Sequence, residues 1–165
     1  MNLKSSLFLF ALSSISSFAY ANTDSAYQHY INCSASSRAI AETAAPVRAL
    51  PDSALKGLLI ASVGALSMAL NEPDVTEAQA RNDYRKARNS LLTQAARKAN
   101  IGSLNLFDAK QYKTYLQFLV DDNSKHCQSV INYGDTHVKY RDLPIEAKKK
   151  MDENREIALK IIDGK

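Results

Sequence analysis

The sequence predicts an all-α protein, a compact bundle of about five helices forming a single domain. Three observations predict it. Apolar residues recur at three- and four-residue spacing nearly throughout, and strand-type alternation is almost absent. Cap and stop signals divide the periodic stretches into segments of helical length. Five Gly and four Pro in 165 residues are too few for the many tight turns of a β-sandwich. The length suits one core, and 45% hydrophobic with 23% charged residues excludes wholesale disorder.

The first segment, 1–21, reads as a cleavable export signal rather than a buried first helix. Lys4 precedes a short apolar stretch centred on Leu7 to Leu12, and Ala19-Tyr20-Ala21 supplies small residues at the cut. The expected mature chain, 22–165, keeps 20 basic and 17 acidic residues, a net charge of +3. That excess is too mild to call for nucleic acid. A short signal with one Lys points to a bacterial periplasm as the compartment. The Asn32-Cys33-Ser34 sequon matters only in a eukaryotic secretory route.

Asp24 is the expected cap of a first helix running to about Ala44, with Tyr27, Tyr30, Cys33, Ser37, Ile40 and Ala44 on its inward stripe and Pro46 ending it. A second helix spans Ala54 to Leu70 and is apolar nearly all round. Its stretch from Gly57 to Leu70 is 14 residues, short of the roughly 20 a membrane span needs. It is therefore expected to be the central buried helix, with Gly57, Ala61, Ala65 and Ala69 letting a neighbour approach closely. Asp74 with Glu77 resembles a capping box for a third helix, Val75 to about Ala99, stopped by Gly102. Asp108 with Gln111 repeats that logic for a fourth, Ala109 to Ile131. Residues 133–144 are expected to be a loop, and Ile145 to Asp163 a last amphipathic helix.

Cys33 and Cys127 are the only thiols, and each falls on the apolar stripe of its own helix. In an oxidising compartment two cysteines most simply form one disulfide. A zinc centre built from His29, Cys33, His126 and Cys127 is the sharper alternative. It is disfavoured because His126 and Cys127, adjacent on a helix, diverge by about 100°. The two histidines are expected to be partly exposed neighbours of a bridge, and no metal or other cofactor is expected. Met68 reads as core filling rather than a haem ligand.

No haem-attachment, zinc-protease, serine-hydrolase, P-loop or EF-hand motif occurs in the sequence. His137 is a lone loop histidine without an identifiable nucleophile. The pairs Asp121-Asp122 and Asp152-Glu153 read as solvated surface. The chain is thus expected to act by contact rather than catalysis. Arg81, Arg85 and Arg88 recur by four and three and form a ridge on the third helix, which carries six basic and two acidic residues between Val75 and Ala99. Such a ridge is either a solvated face whose stems cover the core edge or a contact surface for an acidic protein partner. Tyr133, His137, Tyr140 and Arg141 make the following loop the second candidate surface. A different class of function, a small-molecule or cofactor carrier, would use Tyr30, Tyr84, Tyr112 and Tyr115 to line a cavity between helices.

Two stretches carry a resemblance. YQHYINC, Tyr27 to Cys33, places one Cys in a Tyr-containing first helix. KHCQSVINYGDTHVKY, Lys125 to Tyr140, places the other before a Tyr and a polar run. Together with the helical layout they resemble the periplasmic immunity proteins that neutralise type VI secretion peptidoglycan amidases. The C-terminal helix is longer than in that family. The resemblance implies inhibition by a rigid helical protein, often dimeric, that places a loop in the catalytic groove of a secreted hydrolase. The segment 133–143 is the part of this chain in the corresponding position.

Overall fold

The computed structural model describes residues 26–101, 108–136 and 142–164. Five helices occur in this order: α1 Ala26–Ala44, α2 Asp52–Asn71, α3 Glu77–Lys98, α4 Ala109–Thr136 and α5 Ile145–Ile162. No strand occurs among the described residues. The expected signal segment, Asp24 and Gly102 lie outside the described residues.

The centre of the bundle is α1, which packs against α2, α3 and α4. Ser34, Ala35, Ser36, Ser37 and Ala39 are all buried on it. A helix ringed by Ser and Ala admits close neighbours on several sides, so the small residues of this bundle matter most here. Its buried hydroxyls have partners, as they must away from water. Ser34 Oγ pairs with Ser62 Oγ on α2 at 3.2 Å, and Ser62 Oγ donates to the Ser34 carbonyl at 2.9 Å. Asn123 Nδ2 on α4 donates to Ser36 Oγ at 3.0 Å and to Ser37 Oγ at 2.8 Å.

This corrects the expectation that α2 is the central helix. Only its C-terminal half is inside, through Ala65, Leu66, Ala69 and Leu70. Gly57 and Ala61 face solvent, and Ile60 is 59% exposed. Hydropathy ranks α2 above α1, but it does not measure how closely other helices pack around each. By length and composition α2 is apolar enough to cross a membrane, and 28% of its most apolar window is buried in the bundle.

The apolar core has two parts. One joins Tyr30 and Ile31 of α1 to Leu66, Tyr84, Ala158 and Ile161, which brings in α5. The other joins Ala39 and Ile40 to Leu91, Ala95, Tyr115 and Leu119. Between them Cys33 and Cys127 form the disulfide, with Cα atoms 4.8 Å apart, so α1 and α4 are covalently linked across 94 residues of sequence.

Two helix ends also differ from expectation. Thr76, not Asp74, caps α3, its hydroxyl accepting the Gln79 N–H at 3.2 Å. Asp74 instead takes a left-handed turn at φ 62°, a conformation that Asp tolerates better than most residues. Helix α4, expected to end near Ile131, continues through Tyr133 and Gly134 to Thr136, so the first four residues of the expected loop are helical. Glycine lowers helix propensity by only about 1 kcal/mol, which a 28-residue helix accommodates. Asp108 does cap α4 as expected, accepting the N–H groups of Lys110 and Gln111.

Candidate functional site

Where α1, α3 and the end of α5 meet, a cleft of about 520 Å³ opens. Its charged wall is laid down by helical spacing. Arg38 and Glu42 are one turn apart on α1, and Arg85 and Arg88 lie on the facing side of α3. Arg38 Nε reaches Glu42 Oε1 at 2.7 Å, and Arg88 Nη2 binds the other oxygen, Oε2. One carboxylate thus holds two guanidinium groups from two helices. Burial alone would raise the Glu42 pKa, but the hydrogen bonds from Arg88 and Arg38 outweigh it and hold the carboxyl below its ordinary range. In turn, Glu42 overcomes the desolvation of Arg88 and raises its pKa.

The floor of the cleft is Tyr84. It is only 3% exposed, its hydroxyl has no hydrogen-bond partner among the described residues, and it lines the opening beside the arginines. Burial is the main reason its pKa is pushed up to about 12, so the phenol is a proton donor at neutral pH. An unpaired buried hydroxyl costs about 1–3 kcal/mol. Arg85 is exposed and has no ion-pair partner among the described residues. Asp163 and Gly164, just after α5, close the far side. Three guanidiniums against two carboxylates, with a neutral donor at the base, suit a carboxylate ligand held by planar forks.

The predicted ridge is therefore divided. Arg88 is locked to Glu42, Arg81 Nη2 pairs with Glu77 Oε1 at 2.8 Å on its own helix, and Arg85 is left facing the cleft. Tyr133 belongs to α4, with its side chain outside the described residues, as are His137, Tyr140 and Arg141. No described geometry joins that second candidate surface to the cleft. The four tyrosines proposed to line a carrier cavity do not converge. Tyr30 and Tyr84 fill one part of the core and Tyr115 the other, while Tyr112 donates to the Thr43 carbonyl at 3.3 Å. Met68 packs against the first part of the core.

No family model, curated protein or solved structure matches this chain. The site therefore rests on its own geometry. Arg38 and Glu42 were missed in the sequence because their meaning depends on Arg88 arriving from α3, 46 residues from Glu42. Their i,i+4 spacing at the rim of an apolar stripe was the one local signal.

The bridged cysteines exclude a four-ligand Cys/His zinc centre, since neither thiol is free. His126 is not the partly exposed neighbour expected: it is 6% exposed and turned toward α1. Asp122, read as solvated surface, is half-buried beside it. Burial pushes the Asp122 carboxyl up, against the pull of His126 and Lys125.

Proposed function

We propose that this chain is an exported, non-catalytic helical binding protein that grips an acidic segment of a protein partner in the α1/α3/α5 cleft. In this reading it acts as an inhibitor or immunity protein of a cell-wall-degrading enzyme, in the periplasm, after removal of residues 1–21. One observation carries the reading. The buried Tyr84 hydroxyl lacks a partner among the described residues beside Arg38, Arg85 and Arg88, and a carboxylate paired with the Arg85 fork satisfies it once a small side-chain shift uncovers the hydroxyl. The disulfide is compatible with an oxidising compartment. The resemblance of the two Cys-containing stretches to type VI immunity proteins supports the inhibitory role.

The test is retention of a partner from cell-envelope extract on the immobilised chain, beside the Arg85→Glu variant. Arg85 makes no internal ion pair among the described residues, so the variant keeps its fold. The reading expects a retained protein whose peptidoglycan-degrading activity falls when the chain is added, with at least tenfold weaker binding by Arg85→Glu. Retention of no protein, or equal binding by the variant, overturns it.

A further inference from the structure

The second cluster lies at the disulfide, away from the arginine cleft. His29 sits one helical turn before Cys33 on α1, and His126 directly precedes Cys127 on α4. The bridge sets the spacing of the two helices at this level. The imidazoles meet there, with Nδ1 of His29 3.3 Å from Nδ1 of His126 and ring centroids 5.4 Å apart, tilted by 49°. On the far side of the His126 ring, Nε2 lies 3.7 Å from Asp122 Oδ1.

Two nitrogens bound to one tetrahedral ion at about 2.0–2.1 Å stand about 3.3–3.4 Å apart. The His29–His126 separation falls on that value; without metal one Nδ1 donates to the other, and once that proton moves to the Nε2 of its own ring both lone pairs can address a common ion with little movement. Asp122 lies on the side from which a carboxylate takes the other ring N–H of a metal-bound histidine and fixes its tautomer, and it must close from 3.7 Å to hydrogen-bond distance to do so. From this juxtaposition we propose that His29 and His126 form a two-imidazole site for a divalent transition-metal ion of the zinc, nickel or copper class. Asp122 orients His126 from outside the coordination sphere.

The donor set narrows the ion. Imidazole nitrogen suits these borderline cations and is a poor match for calcium or magnesium. Thiolate cannot contribute, because both cysteines are bridged. Among the described residues no cluster of three or more ligating side chains exists, so water or an outside ligand fills the remaining positions. Binding joins α1 and α4 a second time, beside the covalent link.

Isothermal titration of the full-length oxidised protein with Zn2+ or Ni2+ alone tests the site, with thermal unfolding as a second readout. The expected result is one ion per chain and a rise in melting temperature that a chelator reverses. His126→Ala removes a buried ring and risks misfolding. His29→Gln, at the half-buried edge, is the decisive variant: it should unfold at the metal-free temperature of the wild type and lose at least tenfold in affinity. No saturable uptake by the wild type, or undiminished uptake by His29→Gln, overturns the proposal.

Discussion

Glu42 on α1 and Arg88 on α3, 46 residues apart in sequence, are joined by a direct ion pair at the mouth of the cleft. The same carboxylate holds Arg38, so this one acid fixes the relative placement of α1, α3 and two of the three cleft arginines. Glu42→Gln should cost about 1 kcal/mol, since each pair is partly solvated and such pairs contribute roughly 0–1 kcal/mol. Its pH dependence has a defined sign. The folded state holds the Glu42 carboxyl below its ordinary value of 4.5, so it binds fewer protons than the unfolded chain. The increment is present above that value and is lost as pH falls through the folded pKa. Urea unfolding across a pH series should show wild type and Glu42→Gln apart at about pH 7 and drawing together as pH falls below 4.5.

Tyr84→Phe should separate binding from stability. The hydroxyl is buried without a partner among the described residues, so its removal relieves a desolvation cost instead of breaking a bond. The variant should be as stable as the wild type, or more stable by up to about 1 kcal/mol, in urea unfolding. Its affinity for an acidic partner should fall, because the donor at the base of the cleft is gone.

The disulfide should carry a large share of the stability. Closing a loop across 94 residues corresponds to about 4–5 kcal/mol in the chain-entropy account, with real bridges often giving less. Cys33→Ala with Cys127→Ala should lower the unfolding free energy by about 3–5 kcal/mol. The double variant also leaves two small voids between Ala65 and the Asn123 network. Comparing it with reduced wild type, measured in the presence of reductant, separates the covalent link from the lost sulfur packing.

Helix number, helix order and the cysteine pairing were legible in the sequence because each depends on local periodicity or simple pairing logic. Asp108 could be read as a cap because its partners are two and three residues away. The Thr76 cap was missed because Asp74 offered a competing local pattern, and the left-handed turn at Asp74 decided between them. The cleft was half legible. Arg85 and Arg88 could be placed on one face, but Glu42, Arg38 and Tyr84 join them only when α1 and α3 pack. His29 and His126 were noticed, and the obstacle set against them was the divergence of His126 from Cys127. That divergence vanishes as a problem when the two residues serve different partners, His29 and Cys33.

The clearest misreading was which apolar helix lies at the centre, and it yields the sharpest contrast in expected stability. Leu66 is fully buried against α1 and the first part of the core, so Leu66→Ala should cost about 2–5 kcal/mol. Ile60, six residues earlier on the same helix, is 59% exposed, and Ile60→Ser should stay within about 0.5 kcal/mol of the wild type. Gly57 lies on the same uncovered half, and a methyl group added there meets no atom within 4 Å. With helical backbone and open space, Gly57→Ala should stabilise by about 0.5–1 kcal/mol. A helix buried all round would instead show large losses at Leu66 and Ile60 alike and a steric cost at Gly57. Unfolding free energies of these three variants distinguish a half-covered α2 from a central one.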